Sequence, residues 1–141
     1  MPSANVVWNK GLQFVGTSES GHAIVTDAKK NVGGFEAGPS PIETTLIGLG
    51  GCTGMDVVSI MKKKRQEFDD FEVEVIAEKS AEPPNYLPRI EMVFRIWGEK
   101  VSEDALQRSI ELSKDKYCTV SNTLNGKAEI TYRYEINPPR G

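Results

Sequence analysis

The chain has 141 residues, a formal net charge of -3 at pH 7, 38% hydrophobic residues and 26% charged residues. This length fits one domain with a sizeable core, and the slight acidity argues against a nucleic-acid partner. The N-terminus lacks the basic start and apolar segment of a signal peptide. The longest apolar stretch contains Asp56 and is too short to cross a bilayer, so we expect a cytoplasmic protein that makes no membrane contact.

Residues 5–27 predict an N-terminal β-meander. Apolar residues at 6–8, at 12 and 14, and at 23–25 form short runs, and the residues between them, at 10–11 and 18–21, are typical of turns. Residues 27–39 then contain three glycines and a proline, which is the composition of a loop.

Residues 41–66 predict the central helices. Ser40 is placed to cap the first helix, Pro41 suits its first position and Glu43 completes a capping box. Glycine weakens a helix interior by about 1 kcal/mol relative to alanine, so the adjacent glycines Gly50 and Gly51 predict a break. Cys52 would then lie in the first turn of a second helix, where the thiolate is favoured over the thiol.

The remaining elements are a strand hairpin over 71–97, a helix over 102–116 and a last strand over 127–136. Both strand regions alternate apolar and polar residues, which predicts one buried face in each. Ser102 is placed to cap the helix. The order predicts an α+β fold with antiparallel sheets, since it lacks the βαβ alternation of a parallel nucleotide-binding sheet.

The two cysteines, Cys52 and Cys118, leave three interpretations open. They are inert buried thiols, a redox pair, or part of a zinc site, which would need His22 and carboxylates to complete it. The glycine-rich segment 48–54 is not a phosphate-binding loop, because no strand precedes it and no Gly-Lys-Ser/Thr follows. The basic residues 62–65 are interpreted as a solvated helix end.

Two further residues, His22 and Asp56, are candidate partners of Cys52. His22 is the single histidine and would be the general base of a cysteine hydrolase, although a histidine at the start of a hairpin strand is more often a partly exposed strand residue. Asp56 follows Cys52 by one helical turn. A carboxylate facing the sulfur would raise the thiol pKa, so we expect Asp56 to cap or to face solvent.

Three segments together resemble the OsmC/Ohr family of osmotically inducible and organic-hydroperoxide-resistance proteins, in the branch that includes the YhfA-like proteins. They are Ser-Pro-x-Glu at 40–43, Leu-x-x-Leu-Gly-Gly-Cys-Thr-Gly-x-Asp-Val-Val at 46–58 and Tyr-Cys-Thr-Val-Ser-Asn-Thr-Leu at 117–124. The resemblance runs over essentially the whole chain. It implies an OsmC-like fold around a long broken central helix, in an intertwined homodimer with active sites between the subunits.

The resemblance also implies a thiol-dependent reduction of organic hydroperoxides. Cys52 matches the peroxidatic cysteine and Cys118 the resolving cysteine, so Cys52 would become a sulfenic acid and Cys118 would condense with it to a disulfide. An external dithiol would reset the pair, and no metal or other cofactor is needed. Glu43 is the third candidate catalytic residue, as the counterpart of the family's glutamate.

The sequence departs from the family's peroxidases in two places. Their N-terminal arginine has no counterpart, because the first arginine here is Arg65. Ile42 occupies the position of their glutamate, and Glu43 is shifted by one residue. Lys10, Lys29 or Lys30 could supply a cation, but lysine does not replace the planar arginine fork.

These departures leave two alternatives to peroxidase activity. The first is an OsmC-like dimer without turnover that acts in small-molecule binding or redox sensing. The second is acyl transfer through Cys52, with backbone amides near Thr53 and Gly54 as an oxyanion hole and His22 as base.

Overall fold

A computed structural model describes residues 1–140 of the chain. The fold is α+β, as predicted, with two three-stranded sheets and helices. It divides into two compact units, Met1–Thr45 and the remainder from Leu46 onward. The cysteines both belong to the second unit.

The first unit contains an antiparallel sheet of β1 (Ala4–Lys10), β2 (Gln13–Ser18) and β3 (Ala23–Thr26) in the order β1-β2-β3. A 3-10 turn at Lys30–Val32 follows. The buried carboxylate of Asp27 organises this loop, because it accepts hydrogen bonds from the backbone N–H groups of Ala28 at 2.7 Å and Ala37 at 3.2 Å. These charge-assisted hydrogen bonds hold the backbone of the glycine-rich loop in place, where no helix or strand does so.

Helix α1 spans Pro41–Lys63. It begins at the predicted capping box: the Glu43 N–H donates to Ser40 Oγ at 3.1 Å, and the Ser40 N–H donates to Glu43 Oε1 at 2.9 Å. The predicted break at Gly50 and Gly51 is wrong, since the helix is continuous through both residues.

Packing against a neighbouring strand explains two of the glycines that suggested the break. A Cβ at Gly50 would lie 3.0 Å from Val75 Cγ2, and one at Gly54 would lie 3.4 Å from Val73 Cγ2. These glycines let the helix approach the strand closely, and tertiary packing outweighs their low helix propensity.

The second unit has a sheet of β4 (Asp70–Glu78), β5 (Arg89–Trp97) and β6 (Glu129–Ile136), with β5 in the middle. Met92, Phe94 and Ile96 of β5 are fully buried. They form a core with side chains from the helices, among them Leu49, Val57, Met61, Leu106 and Ile110. The opposite face carries Arg95, which pairs with Glu135 at 2.6 Å and Glu74 at 2.9 Å.

The prediction of purely antiparallel sheets is wrong for one strand pair. Strands β4 and β5 form the expected antiparallel hairpin, but β6 pairs with β5 in parallel. The reason is the helical connection between them, which returns the chain to the end of the sheet where β5 began. A hairpin turn would have reversed the direction.

That connection consists of α2 (Glu103–Leu112), a π-helical turn (Ser113–Tyr117) and the short helix α3 (Thr119–Leu124). Ser102 caps α2 as predicted, accepting from the Ala105 N–H at 3.2 Å. The α-helix predicted over 102–116 therefore ends at Leu112, and a wider π-helical turn continues from Ser113 to Tyr117. The Cys118 N–H closes this turn by donating to the Ser113 carbonyl at 2.9 Å.

Helix α1 has 23 residues and a mean hydropathy that would let it cross a membrane by length and composition alone. By length and composition, the expectation that this apolar stretch is too short is therefore wrong. Core helices have the same composition. Here Leu49, Val57 and Met61 of α1 are fully buried in the core of the second unit.

Candidate functional site

Cys118 is held in a fully buried position between the π-helical turn and α3. It is the N-cap residue of α3, and its sulfur accepts a hydrogen bond from the Ser121 N–H at 3.3 Å. Free backbone donors of a first helical turn need such acceptors. Cys118 therefore occupies a helix start, the position that the sequence analysis predicts for Cys52.

Cys52 lies in the interior of α1, and its residue is partly exposed. The expectation that it begins a second helix is wrong, because α1 does not break. The backbone of Val120 in α3 nevertheless acts on the Cys52 sulfur and opposes the rise in the pKa of its thiol. The first turn of α3 thus lies beside both sulfurs.

The fold brings the two cysteines together, and both are free thiols. Each thiol lies close enough to the other to shift its pKa, although 65 residues lie between them in the sequence. A thiol adjacent to a second thiol meets the geometric need of a reversible dithiol–disulfide couple. This contact favours the redox interpretation over that of two unrelated thiols.

The two sulfurs differ in acidity. Burial raises the pKa of the Cys52 thiol, the hydrogen bond from Val120 opposes this, and the nearby Cys118 and Asp56 raise it further. Burial acts in the same direction on Cys118, but hydrogen bonds from Ser121, Thr53 and Cys52 outweigh it and hold the pKa of Cys118 below its ordinary value. The negative charge that the sequence placed on Cys52 is therefore better stabilised on Cys118.

Thr53 is the site residue that the sequence reasoning missed in this role. Its fully buried hydroxyl lies 3.2 Å from Cys118 Sγ. The sequence gives its position directly after Cys52, but only the packing of α1 against the start of α3 shows that its side chain reaches the other cysteine.

Asp56 is connected to the same region by the π-helical turn. Ser113 Oγ donates to Asp56 Oδ2 at 2.8 Å. Asp56 was expected to cap a helix or to face solvent. Its carboxylate is instead half-buried and accepts a hydrogen bond from a side-chain hydroxyl. Its charge still acts on Cys52 and raises the pKa of that thiol.

Glu43 and His22 lie in the first unit. The Glu43 carboxylate occupies the capping box, where the Ser40 N–H lowers its pKa. His22 is exposed, with Nδ1 3.0 Å from Ser20 Oγ. The catalytic role of Glu43 stays a prediction.

No metal centre is apparent within residues 1–140, where no three His, Cys, Asp or Glu side chains are grouped closely enough to hold an ion. The chemistry available to the described site is that of two adjacent thiols, one partly exposed and one buried, with hydroxyl and backbone donors around the buried sulfur.

Comparisons with known proteins agree with the fold. Residues 33–133 match the family model for OsmC-like proteins. Protein YhfA of Escherichia coli strain K12 is 38% identical over 133 residues, which cover 94% of this chain and 96% of YhfA.

Two solved structures show the same fold. A hypothetical protein from Aquifex aeolicus VF5 has a TM-score of 0.85 and 28% identity, over 97% of this chain and 96% of that one. An organic hydroperoxide resistance protein from Elizabethkingia anophelis has a TM-score of 0.75 and 18% identity, over 97% and 96% of the two chains. From the family match and the extent of the identity with YhfA, the chain belongs to the family of OsmC-like proteins.

Proposed function

We propose that the protein reduces organic hydroperoxides through Cys52 and Cys118 and is regenerated by an external dithiol. The observation that carries this proposal is the proximity of two free thiols, one partly exposed and the other fully buried. The exposed one can meet a substrate, and the buried one is placed to trap its oxidised form. Membership of a family with relatives named for organic hydroperoxide resistance supports the same chemistry.

The reaction has two steps. The Cys52 sulfur attacks the O–O bond, which gives an alcohol and a Cys52 sulfenic acid. Cys118 then attacks the sulfenic sulfur and releases hydroxide, forming the disulfide. A small external dithiol reduces this disulfide by exchange. No metal or other cofactor takes part.

The test is consumption of cumene hydroperoxide by the purified protein with dithiothreitol as reductant. We expect turnover by the wild type and its loss in Cys52→Ser. In Cys118→Ser one equivalent of hydroperoxide should still be consumed, followed by slow recycling. A wild type that is no faster than Cys52→Ser would contradict the proposal.

The second candidate function is redox sensing or small-molecule binding without turnover. It is favoured by the absence of an arginine before Arg65, and by the burial of Cys52 and the nearby Asp56, which raise the pKa of the Cys52 thiol, because a protonated thiol is a poor nucleophile. A protein of this kind would form the disulfide only after long exposure to hydroperoxide and would show no steady-state consumption. The same assay therefore separates the two functions.

We further propose that a second copy of the chain covers the open face of α1. Ile47 and Met55 are 65% and 74% exposed, and nothing lies within 4 Å of a Cβ added at Gly48 or Gly51. These side chains border a largely apolar groove of about 890 Å³, which β4 completes. Exposed apolar surface beside helix glycines that no neighbour explains fits close approach of another chain, and the family resemblance implies a homodimer.

Sedimentation of variants tests the dimer. Met55→Glu places a charge in the groove and should shift the protein toward monomers. Tyr86→Glu changes an exposed residue outside the groove and should not. A wild type that sediments as a monomer at micromolar concentration would contradict this proposal. The expected location is the cytoplasm, where glutathione and thioredoxin keep thiols reduced.

A further inference from the structure

The side chain of Thr53 makes a different bond from the other threonines of α1. Thr44 and Thr45 donate their hydroxyls to carbonyls of the preceding turn, each at 2.9 Å. Thr53 instead meets the sulfur of Cys118, which belongs to another segment of the chain. Its hydroxyl therefore acts on the cysteine pair rather than only on its own helix.

The direction of the bonds around Cys118 follows from their chemistry. The Ser121 N–H can only donate, so the Cys118 sulfur is an acceptor in that bond. The Cys52 thiol lies close enough to lower the pKa of the Cys118 thiol. A Cys118 thiolate has no proton to give, so the Thr53 hydroxyl would then donate to it, and a sulfur with an N–H and a hydroxyl as donors is in an environment that favours its ionised form.

We propose that Thr53 is a positioning residue that keeps the negative charge of the reduced cysteine pair on Cys118, so that Cys118 accepts the proton of Cys52 when Cys52 reacts. The hydroxyl of Thr53 fixes the buried sulfur as the acceptor within the pair. Cys52 then carries the proton in the resting state and loses it only during attack.

The charged and titratable groups around the pair fit this arrangement. On α1, Asp56 acts on Cys52 and disfavours a second negative charge there. On β6, the Tyr132 hydroxyl lies near Cys118, with Asp115 acting on the same tyrosine and Lys114 Nζ 5.4 Å from the centre of its ring. The stabilisation of Cys118 comes from hydrogen bonds to its sulfur, and Thr53 supplies one that a substitution can remove.

The inference rests on the proposed reduction of hydroperoxides for its consequence, and the proton balance can be written step by step. As the Cys52 sulfur attacks the hydroperoxide, its proton passes to the Cys118 thiolate and the O–O bond breaks. The departing alkoxide takes that proton and leaves as the alcohol. Cys118 is again a thiolate, attacks the sulfenic sulfur and releases hydroxide, leaving the disulfide.

The experiment measures thiolate absorbance near 240 nm against pH, which needs no peroxidase activity. Cys52→Ser leaves Cys118 as the single cysteine and keeps a donor beside it. We expect its thiol to titrate below the ordinary value of about 8.5. Adding Thr53→Val, which removes the hydroxyl at similar volume, should raise that pKa by about one unit. Thr53→Ser should restore it.

A second readout connects the titration to the reaction. With both cysteines present, Thr53→Val should slow a single turnover with cumene hydroperoxide about tenfold near neutral pH, and the loss should shrink as the pH rises. Circular dichroism checks the fold, and Thr53→Ala replaces Thr53→Val if the latter does not fold.

Two results would overturn the inference. One is a Cys118 thiol that titrates at or above the ordinary value in Cys52→Ser. The other is a pKa that does not move when the Thr53 hydroxyl is removed. If the titrations agree with the inference but no hydroperoxide is consumed, the proposed function fails while the placement of the charge stands.

Discussion

Cys52 and Cys118 both lie beside the first turn of the same short helix, yet their surroundings differ. Cys118 is fully buried and accepts further hydrogen bonds, whereas Cys52 is partly exposed and has an acidic residue near it. The difference indicates that exposure and ionisation can be divided between two thiols. Cys52 is the more exposed residue, and we propose that Cys118 holds the charge.

Removing each sulfur in turn is the strongest way to break this comparison. Cys118→Ala leaves the Ser121 N–H and the Thr53 hydroxyl without their acceptor in the interior, which should lower the free energy of unfolding by about 1–3 kcal/mol. Cys52→Ala acts at a partly exposed position and should cost less than about 1 kcal/mol. Urea denaturation measures both, and equal losses would show that the two environments do not differ.

Alkylation tests the difference in access. Iodoacetamide should label Cys52 at least about tenfold faster than Cys118, because labelling of a fully buried sulfur requires local opening. Peptide mapping of partly labelled protein gives the ratio. Faster labelling of Cys118 would mean that its ionisation outweighs its burial, contrary to the comparison.

The dependence of stability on pH should have opposite signs in the two single-cysteine variants. In Cys52→Ser the remaining Cys118 has a lowered pKa, so the unfolded state binds more protons and stability rises with pH up to about 8.5. The stability that the Cys118 thiolate contributes is lost as the pH falls through the pKa of Cys118 in the folded protein. In Cys118→Ser, Cys52 has a raised pKa, and stability falls as the pH rises from about 8.5 toward it.

Denaturation midpoints at a series of pH values check both slopes. A double variant without either cysteine provides the baseline, since it retains all other titrating groups. Slopes of the same sign, after subtraction of this baseline, would contradict the assignment of the charge.

The smallest expected effect comes from Asp56, which sharpens the description of Cys52. Asp56→Asn keeps an oxygen for the Ser113 hydroxyl but removes the charge that acts on Cys52. The pKa of the Cys52 thiol should fall by less than about half a unit. Ser113→Ala is the control, because it removes the hydrogen bond and keeps the charge. If the pKa of the Cys52 thiol fell further in Ser113→Ala than in Asp56→Asn, the hydrogen bond that positions Asp56, and not its charge, would be the cause.

Much of the fold could be predicted because its determinants are local. Alternation of apolar residues marks β4 and β6, and both predicted caps, at Ser40 and Ser102, are observed. Two features could not be predicted locally. The sequence alone does not distinguish a glycine that breaks a helix from one, such as Gly50, that lets the helix pack closely against a strand. The parallel direction of β6 depends on the end of the sheet to which the helical connection from β5 brings the chain. The alternation of residues within a strand does not predict this.

The two cysteines of the candidate site could be predicted, but the part played by Thr53 and the electrostatics of the pair could not. The glycine-rich segment around Cys52 suggested a helix start and so an ionised Cys52, but the first helical turn that serves both sulfurs is that of α3. The Thr-Val-Ser sequence after Cys118 is a signal for such a start. The contact of Thr53 with Cys118 depends on tertiary packing alone.

The central claim, that the two thiols act as one redox pair, is tested most directly by adding one equivalent of cumene hydroperoxide to the reduced protein and mapping the cysteines by mass spectrometry. The account predicts loss of both thiols and a peptide pair joined by a disulfide between Cys52 and Cys118 of the same chain. Sulfinic or sulfonic acid on Cys52 beside a free Cys118 thiol would contradict it.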